Sequence, residues 1–388
     1  MSGQIRLLAV TSSLGGGGAE RQMTILLKHL DRSLFLPTLC LFNRRGPYLD
    51  ELPTDVRVID LGKRSKWDFL RLIWSLADTI RATRPDVVLS KLQYANIVTA
   101  AARKVSRQGI PLVLCEEINP REALPHATYP NLRARLLKWA YREADAVVTP
   151  SRGVASVLRS DFAVEHRKLN VIPNAIEVEH IRELAGETVT HPFLESPEPV
   201  VVSVGRLTTQ KGHTHLLRAI ALVNAKVPCR LLILGDGEKR KELEELVIEL
   251  GISDKVCFCG FQKNPFKFMS RTKAFVLSSL WESFGNVLIE AMGLGLPVVS
   301  TRAPYGPEDI IQDGETGILV PPGDPKALGE AILRVLTDSD IKRIAEAGYH
   351  AATKYDASTT VKRYETLLFE LVNDSDQKQR SIRNSIGS

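Results

Sequence analysis

The sequence predicts an α/β protein with two doubly wound, parallel-sheet domains of the Rossmann type. Short Val- and Leu-rich runs alternate with segments of helical periodicity, and continuously apolar strands are typical of parallel sheets covered on both faces. The alternation restarts at "PVVVSVGR", after a polar, Pro-rich stretch at 187–199. A chain of 388 residues is also too long for one typical core. Ligands of such sheets bind beyond the carboxyl ends of the strands, so we expect a ligand cleft between the domains.

The order of the predicted elements sets the domain boundaries. The predicted strands of the first half are "IRLLAV", "PTLCLF", "VRVID", "PDVVLS", "PLVLCE", "DAVVTP" and "LNVIPN", and helical spacing lies between them at 19–30, 68–83, 95–107 and 131–144. The second half repeats the pattern through "RLLILG", "KVCFCG", "KAFVLSS" and "LPVVST". We therefore predict domains at 1–187 and 188–356, a last helix at 357–372, and a disordered polar tail at 373–388.

The composition indicates an ordinary globular protein of a reducing compartment. Hydrophobic residues make up 44% and charged residues 25% of the chain, and no apolar run reaches the roughly 18 residues of a membrane span. The start lacks the features of a signal peptide. Five scattered cysteines suggest buried thiols, and "CFC" has the alternation of a strand rather than the spacing of a zinc site. We expect a cytoplasmic protein.

The basic charge is concentrated in the first half of the chain. Residues 1–187 contain 27 Lys and Arg against 20 Asp and Glu, whereas the rest contains 24 against 25. This asymmetry favours an anionic partner of the first domain, such as a membrane surface or a phosphorylated acceptor. No nucleic-acid recognition motif accompanies the charge, so no nucleic-acid partner is expected.

A glycine-rich loop follows the first predicted strand. In "TSSLGGGGAERQ" (11–22), Gly16 and Gly17 allow close approach of the backbone to an anion at the start of a helix. The loop is not a Walker motif, and Glu20 stands where a dinucleotide-binding fingerprint has its third glycine. The alternative is a flexible turn. Four consecutive glycines exceed the needs of a turn, so we favour contact with a phosphate or a substrate.

Two cations in "SVGRLTTQKG" suit a diphosphate. Arg206 is placed at the end of a predicted strand and Lys211 just before a helix. A departing nucleoside diphosphate gains negative charge as its bond breaks, and fixed cations stabilise that charge directly. No acidic cluster for a metal accompanies them, so we predict no metal site. The alternative is a pair of solvated surface charges.

The segment "LSSLWESFGNVLIEAMGLGLPVVST" (277–301) contains two glutamates eight positions apart. Glu282 is predicted in the loop after a buried strand, and Glu290 within the following helix. Their carboxylates can accept hydrogen bonds from sugar and ribose hydroxyls, while Gly285 lets backbone N–H groups face a phosphate. The alternative, a capping glutamate and a solvated one, does not explain Glu290 in an otherwise apolar helix.

These motifs together resemble one enzyme family. "ESFGNVLIEAMGLGLPVVST", "VGRLTTQKG" and "GGGGAE" are similar to motifs of the retaining glycosyltransferases of the GT-B fold that carry an E-x7-E motif, and in particular to bacterial family 4-like members. "GPEDIIQDGETGILVPPGD" and "VIPNAIE" resemble further blocks of that family. The resemblance extends from residue 5 to about 372, and the combination of motifs is highly specific.

The resemblance implies roles for the motif residues. Arg206 and Lys211 would hold the diphosphate, Glu282 would contact the sugar hydroxyls, and Glu290 would contact the ribose. Further donor-binding positions implied by the matching motifs are Gly16, Gly17, Gly205, Phe284, Gly285 and Asn286. The family needs neither a divalent metal nor another cofactor, and its last helix often crosses back onto the first domain.

The chain departs from the family at one place. Many members have a histidine after the strand that corresponds to "PLVLCEEINP", where this chain has Glu116, Glu117 and Asn119. The run resembles a subgroup with a Glu-Arg-Asn-Asn-Pro-like sequence, with Glu117 in place of the arginine. These three residues are therefore the candidates for the acceptor side, and the identity of the group that replaces the histidine is open.

The resulting hypothesis is a retaining, metal-independent hexosyltransferase. It would move a sugar from a nucleotide diphosphate to a hydroxyl of a glycan or lipid-linked acceptor, in polysaccharide or lipopolysaccharide synthesis. A UDP-sugar, first an N-acetylhexosamine, is favoured over GDP-mannose. The alternatives are a catalytically silent nucleotide-sugar-binding or scaffold subunit and another GT-B reaction, such as nucleotide-sugar epimerisation. A phosphorylase would require a pyridoxal lysine, for which we find no motif.

Two segments suggest peripheral contact with the inner face of the cell membrane. "KRSKWDFLRLIWSL" (63–76) and "NLRARLLKWAYREA" (131–144) combine basic residues with Trp and Leu at helical spacing. Such a mixture suits a helix that lies in an anionic interface. The alternative is two ordinary helices whose Trp and Leu pack on the sheet.

Overall fold

The computed structural model describes residues 3–15, 17–65 and 67–386. The chain divides into two compact units. The first comprises Met1–Ala175 together with Ala357–Ser388, and the second comprises Ile176–Asp356.

The first unit contains a parallel sheet with helices between its strands. In chain order the elements are β1 (Ile5–Thr11), α1 (Gly18–His29), β2 (Phe35–Leu41), β3 (Arg57–Asp60), α2 (Phe69–Thr83), β4 (Val87–Lys91), α3 (Gln93–Ser106), β5 (Leu112–Cys115), α4 (Pro120–Ala123), α5 (Pro130–Glu143), β6 (Ala146–Thr149), α6 (Arg152–Phe162) and β7 (Leu169–Val171). The described residues form seven strands in the order β3-β2-β1-β4-β5-β6-β7. The strand order reverses between β1 and β4, where Val10 pairs with both Cys40 and Ser90.

The second unit repeats this architecture. Its elements are α7 (Val178–Ala185), β8 (Val200–Val204), α8 (His213–Asn224), β9 (Arg230–Leu234), α9 (Arg240–Glu249), β10 (Val256–Gly260), α10 (Phe266–Met269), β11 (Ala274–Leu277), α11 (Asn286–Gly293), β12 (Val298–Thr301), α12 (Pro307–Ile310), β13 (Ile318–Val320), α13 (Pro325–Thr337) and α14 (Ile341–Ala352). The described strands lie in the order β10-β9-β8-β11-β12-β13, again all parallel. The order reverses between β8 and β11.

The central strands explain the apolar runs in the sequence. All five residues of β4 and all four of β11 are buried, because helices cover both faces of each sheet. The second unit has a core cluster on each face of its sheet, one including Val201 and Ile220 and the other including Val202 and Met292. The predicted α/β class with two parallel-sheet, Rossmann-like domains is confirmed.

The last helix, α15 (Ala357–Ile386), belongs to the first unit. Its residues Val361, Tyr364, Leu368 and Val372 are buried in the core that includes Ile5 of β1. Their spacing of three to four positions places them on one face of a helix. The helix continues through 373–386, where the sequence predicts a disordered tail. Neither glycine nor proline interrupts this stretch before residue 387, so no residue in it breaks a helix.

The units divide at Ala175, earlier than the boundary at 187 that the sequence predicts. Between these positions lies α7, whose Val178 and Ile181 are buried in the core of the second unit. The helix also contacts α10 and α11 of that unit. The Pro-rich stretch 187–199 is therefore a surface connection within the second unit, and the change of unit occurs in "NAIE" instead.

Candidate active site

The carboxyl end of β8 brings Arg206 and Lys211 to the point where the strand order of the second sheet reverses. Arg206 is exposed, and among the described residues its guanidinium makes no ion pair. Lys211 lies in a short turn that ends at Gly212, whose φ of 62° is left-handed. A Cβ atom at residue 212 would lie 2.2 Å from the carbonyl oxygen of Ser278. Only glycine permits this approach, which joins the Lys211 turn to the end of β11.

Glu282 lies in the loop after β11 and is paired with Lys211. Its Oε1 atom lies 2.5 Å from Nζ of Lys211 and accepts a hydrogen bond of 2.7 Å from Oγ of Ser279. The residue is only 7% exposed. The carboxylate is therefore held by two partners at the edge of the sheet, as the sequence-based placement in a strand-end loop requires.

Three hydrogen bonds to backbone carbonyl oxygens join the two loops. The N–H of Leu280 donates to the carbonyl oxygen of Gln210 at 2.7 Å, and the side-chain amide of Gln210 donates to the carbonyl oxygen of Trp281 at 3.0 Å. The hydroxyl of Ser278 donates to the carbonyl oxygen of Lys211 at 2.8 Å. The loops that present Lys211 and Glu282 are thus joined directly to each other beside the ion pair.

The remaining predicted donor residues of this unit surround the same edge. Gly205 leaves room for Lys211, since a Cβ atom there would lie 3.3 Å from Cε of that lysine. Gly285 precedes α11 with a φ of 108°, and Asn286 begins the helix. Glu290 is buried, at 8% exposure, in the middle of α11. Phe284 is also buried and stacks edge-on against Tyr355, so its side chain belongs to the core and only its backbone can serve a ligand.

The glycine loop of the first unit opens α1, as predicted. Gly17 is the N-cap residue of that helix, and Gly16 lies outside the described residues. The carboxylate of Glu20 lies back over the loop, because a Cβ atom on Gly17 would be 2.4 Å from its Oε2. A carboxylate of the protein itself therefore lies at this helix N-terminus, and the contact of Gly16 and Gly17 with a donor stays a prediction.

Glu116 is fully buried after β5 in the first unit. Its Oε2 accepts a hydrogen bond from the hydroxyl of Tyr141, and its Oε1 accepts from the backbone N–H of Ile118 at 3.2 Å. Burial raises the pKa of Glu116 to about 7, against the opposing effect of these hydrogen bonds. A carboxyl group with this pKa is poised near neutrality, where it can either hold or release a proton.

Glu117 forms a buried ion pair with a residue that the sequence motifs did not include. Nζ of Lys91, at the end of β4, lies 2.6 Å from its Oε1, and both side chains are at most 5% exposed. Oε2 of Glu117 is buried without a hydrogen-bond partner among the described residues. Nζ of Lys91 also lies 3.3 Å from the hydroxyl of Tyr364 on α15. Lys91 thus supplies the cation next to Glu117.

Asn119 has a local structural role in addition to its place near this pair. Its side-chain oxygen accepts a hydrogen bond of 3.0 Å from the N–H of Arg121 and so caps α4. Asn119 is also buried, at 1% exposure. The three acceptor-side candidates therefore lie together at the carboxyl end of β5, with Lys91 and Tyr141 as the residues that sequence reasoning missed.

The cysteines only partly follow the prediction of buried thiols. Cys40, Cys115 and Cys229 are buried, but Cys257 and Cys259 on β10 are partly exposed. The prediction that "CFC" lies in a strand is confirmed, and the spacing of two positions places both thiols on one face of that strand. That face is covered incompletely because β10 is the outermost strand of its sheet.

Comparison with known proteins agrees with this arrangement. Residues 16–180 match the family model described as Glycosyltransferase Family 4, and residues 190–351 match the model described as Glycosyl transferases group 1. The two matches together cover most of the chain, with one model on each predicted domain. The chain belongs to the GT-B glycosyltransferases.

Similar glycosyltransferases occur in bacteria and archaea. An uncharacterized glycosyltransferase of Methanocaldococcus jannaschii is 28% identical, with 80% of this chain and 87% of that protein covered. The N-acetylgalactosamine-N,N'-diacetylbacillosaminyl-diphospho-undecaprenol 4-alpha-N-acetylgalactosaminyltransferase of Campylobacter jejuni is 29% identical, with 91% and 94% covered. The crystal structure of Anabaena HepE with UDP and glucose superposes with a TM-score of 0.78 at 22% identity, covering 95% of this chain and 100% of that one. This last likeness establishes the shared fold.

Proposed function

We propose that this GT-B glycosyltransferase is a retaining hexosyltransferase that uses a nucleotide diphosphate sugar. The observation that carries the proposal is the Lys211–Glu282 pair beside exposed Arg206, at the edge where the second sheet reverses its strand order. Two cations and one carboxylate are the groups needed to hold a diphosphate and a sugar side by side.

The reaction follows from these groups. Arg206 and Lys211 stabilise the charge that develops on the diphosphate as its bond to the sugar breaks. Glu282 accepts hydrogen bonds from sugar hydroxyls and Glu290 from the ribose. The acceptor oxygen attacks from the face that the diphosphate leaves, and the leaving phosphate oxygen takes the acceptor proton, so the anomeric configuration is retained. The cations perform the charge neutralisation that a metal performs in other transferases, so we propose that the reaction needs neither a divalent metal nor a cofactor.

A UDP-sugar, first an N-acetylhexosamine, is the proposed donor, and GDP-mannose is the second candidate. The name of the similar Campylobacter jejuni protein specifies transfer of N-acetylgalactosamine, and HepE was crystallised with UDP. Both observations concern similar proteins, and they support the preference for a UDP-sugar over GDP-mannose that the motifs favour.

The proposed acceptor is a hydroxyl of a glycan, in particular one linked to a lipid diphosphate. A groove of about 530 Å³ begins at Pro120, next to the acceptor-side candidates, and runs along α5. Arg135 and Lys138 line it, and neither forms an ion pair among the described residues. Uncompensated cations in a partly apolar groove suit an anionic, lipid-linked ligand. The relative from Campylobacter jejuni is named for a diphospho-undecaprenol acceptor.

Peripheral contact with an anionic membrane is the corresponding proposal for location. Trp67, Leu70 and Trp74 are 76%, 68% and 58% exposed; Trp67 precedes α2, and Leu70 and Trp74 lie four positions apart on one side of that helix. Leu72 and Ile73 of the same segment are buried, so only part of its apolar side chains is available to an interface. No helix in the described part of the chain is long and apolar enough to cross a bilayer.

On α5 the apolar residues are divided between surface and core. Leu132 is 55% exposed, whereas Leu136 and Trp139 are half-buried. The helix α3 contacts both α2 and α5, so the two candidate segments flank one helix of the first unit. Exposed apolar side chains beside basic ones support an interfacial role for both segments.

A donor panel tests the proposal against its main alternative. The purified protein is incubated with UDP- and GDP-sugars, with and without a polyprenyl-diphosphate-linked glycan, and released nucleoside diphosphate is measured. A transferase releases nucleotide with one donor class, and NMR of the product gives the retained anomeric configuration. A silent nucleotide-sugar-binding or scaffold subunit would raise the melting temperature with the same donor but release no nucleotide.

A further inference from the structure

Two thiols and one imidazole come together on the second unit, and none of the three belongs to the groups assigned to sugar transfer. His191 lies in the Pro-rich surface connection 187–199, and Cys257 and Cys259 lie two positions apart on β10. All three are partly exposed, so the cluster is open to solvent on one side. The sequence-based expectation is that "CFC" is not a zinc site, because the spacing of the two cysteines alone does not indicate one and the histidine is far from them along the chain.

The distances within this cluster match one face of a tetrahedral zinc site. Nε2 of His191 lies 3.5 Å from Sγ of Cys257 and 3.9 Å from Sγ of Cys259, and the two sulfurs are 3.6 Å apart. Zinc binds thiolate sulfur at about 2.3 Å and imidazole nitrogen at about 2.1 Å, so tetrahedral angles separate two sulfurs by about 3.8 Å and a sulfur and nitrogen by about 3.6 Å. All three measured separations lie close to these values.

We propose that His191, Cys257 and Cys259 bind one thiophilic divalent cation, Zn²⁺, with the fourth position open to water. Two thiolates and a neutral imidazole bind zinc in preference to harder cations, and the two negative charges of the thiolates balance the charge of Zn²⁺. The partial exposure of the cluster provides both an entry path and room for the water.

Binding requires a defined change in protonation. The two thiols release their protons, and the imidazole binds through an unprotonated Nε2, so its remaining proton moves to Nδ1. At present Nδ1 accepts a hydrogen bond of 3.1 Å from the N–H of Phe193. This hydrogen bond is broken when the metal binds, and its free energy is small compared with that of three metal–ligand bonds.

The residues around the cluster restrict the His191 ring by packing and do not repel a bound cation strongly. His191 packs edge-on against Phe193 and Phe268, which restricts its ring. Arg240, whose charge acts on Cys257, forms an ion pair of 2.9 Å with Glu244, and a second carboxylate lies 3.8 Å from its guanidinium. Its charge is therefore largely compensated.

The position of the site indicates a structural role. β10 is the outermost strand of its sheet, and the metal would tie the connection 187–199 to this strand. An outer strand presents unpaired backbone groups that favour wrong pairing, and a covering segment protects them. The carbonyl oxygen of Cys259 also accepts a hydrogen bond of 2.7 Å from Gln262, so the loop after β10 is held from the same point.

Metal titration of the tag-free, reduced full-length protein tests the proposal. We expect one equivalent of Zn²⁺ per chain by mass spectrometry of metal content after gel filtration. Cys257→Ser and Cys259→Ser should each weaken binding at least about 100-fold, since loss of an outer partner of a ligand already costs about 10- to 100-fold. Cys229→Ala and His180→Gln, which alter a thiol and an imidazole elsewhere in this unit, should leave binding unchanged.

A measurement on the unsubstituted chain guards against variants that do not fold. Co²⁺ in place of Zn²⁺ should give the intense visible bands of tetrahedral coordination and a thiolate-to-metal charge-transfer band. Weak octahedral bands, no stoichiometric Zn²⁺, or equal binding by the Cys257→Ser variant would overturn the assignment. A reduced protein that binds no metal but readily forms a Cys257–Cys259 disulfide would show a redox pair instead, and the proposal would be wrong.

Discussion

Nζ of Lys211 lies 2.5 Å from Oε1 of Glu282, in a pair whose side chains are 17% and 9% exposed. The lysine approaches from the end of β8 and the glutamate from the end of β11, so the pair spans the reversal of strand order. A cation held in this way needs no further ordering before a diphosphate arrives, and prior ordering of charged groups is what makes them effective in a transition state. Glu282 in turn is held by Lys211 and Ser279, which suits the role toward sugar hydroxyls that we propose for it.

Loss of either donor-side cation should slow transfer strongly. We expect Arg206→Ala and Lys211→Ala each to lower turnover about 10²- to 10³-fold, the usual cost of removing one group that stabilises transition-state charge. Steady-state nucleotide release with the preferred donor measures the effect. Lys226→Ala, which removes an exposed lysine of the same unit, is the matched control and should retain full turnover. Near-normal turnover in a folded Arg206→Ala or Lys211→Ala protein would remove that residue from the mechanism.

The same two substitutions should differ in their effect on stability. Lys211→Ala leaves the nearly buried carboxylate of Glu282 without its cation, whereas Arg206 is exposed and has no ion-pair partner among the described residues. An unpaired buried polar group costs about 1–3 kcal/mol. Urea unfolding should therefore show Lys211→Ala less stable than Arg206→Ala, and adding Glu282→Gln to Lys211→Ala should restore much of the loss. Equal urea midpoints for Lys211→Ala and Arg206→Ala would show that the Lys211–Glu282 ion pair does not contribute to stability.

The fold and the positions of Arg206, Lys211 and Glu282 at strand ends can be predicted from the sequence because they depend on local patterns. Fully apolar strands predicted the parallel sheets, and the position of Glu282 after "KAFVLSS" predicted its place at the strand end. The predicted boundary at 187 differs from the structural division after Ala175, since burial of Val178 and Ile181 in the second unit depends on packing that periodicity does not specify.

The contacts of the acceptor-side candidates are harder to predict from the sequence because their partners are distant in the chain. Lys91 meets Glu117 across neighbouring strands, and Tyr364 reaches Lys91 from the last helix. One signal was available: a lysine at the end of the apolar run "PDVVLSK" requires a buried partner or a solvated strand end. The cluster of His191 with Cys257 and Cys259 had no such signal, since it depends on where a connecting segment lies.

Chelation should leave sugar transfer intact. The proposed charge neutralisation uses Arg206 and Lys211, so EDTA should not abolish nucleotide release and added Mg²⁺ or Mn²⁺ should not stimulate it greatly. The His191 cluster requires a separate control, because EDTA would also remove zinc from it. In a Cys257→Ser/Cys259→Ser protein, EDTA should change neither the activity nor the melting temperature. Strict dependence of transfer on Mg²⁺ or Mn²⁺ would refute the proposed donor site.

Glu116 should make stability depend on pH in the neutral range. Burial raises its pKa from 4.5 to about 7 in the folded protein, so the folded state binds the proton more tightly than the unfolded chain. The stabilisation that the folded state gains from protonated Glu116 is fully present below about pH 4.5 and is lost as the pH rises to 7. Between pH 5 and 8 the loss amounts to roughly 2–3 kcal/mol.

Urea unfolding of Glu116→Gln at pH 5 and pH 8 measures this contribution. The amide keeps the size of the side chain and can still accept from Tyr141, but it does not titrate. The difference in unfolding free energy between the two pH values should therefore become smaller than in the unsubstituted protein. Glu51→Gln, at an exposed position of the same unit, should leave the difference unchanged. Parallel pH profiles for Glu116→Gln and the unsubstituted protein would show that Glu116 does not titrate in this range.

Binding to anionic vesicles should depend on the segment at 63–76. Each basic residue near such a surface contributes about 1 kcal/mol, so reversing Lys63, Arg64 and Lys66 to Glu should weaken binding at least about 100-fold. Lys66 lies outside the described residues, and its inclusion follows from the sequence alone. Flotation with phosphatidylcholine vesicles, with and without anionic lipid, gives the bound fraction.

The exposed tryptophans provide an independent test of the same surface. Trp67→Ser with Trp74→Ser should reduce binding while leaving the charge unchanged, and because both side chains are mostly exposed, the melting temperature should hardly move. Reversing Arg218, Lys226 and Lys241, which are exposed on the second unit, removes the same number of cations and should leave flotation as it was. Equal recovery with neutral and anionic vesicles would refute the membrane contact. So would equal losses from the two triple reversals, because a diffuse net charge would then explain the binding without any contribution from α2.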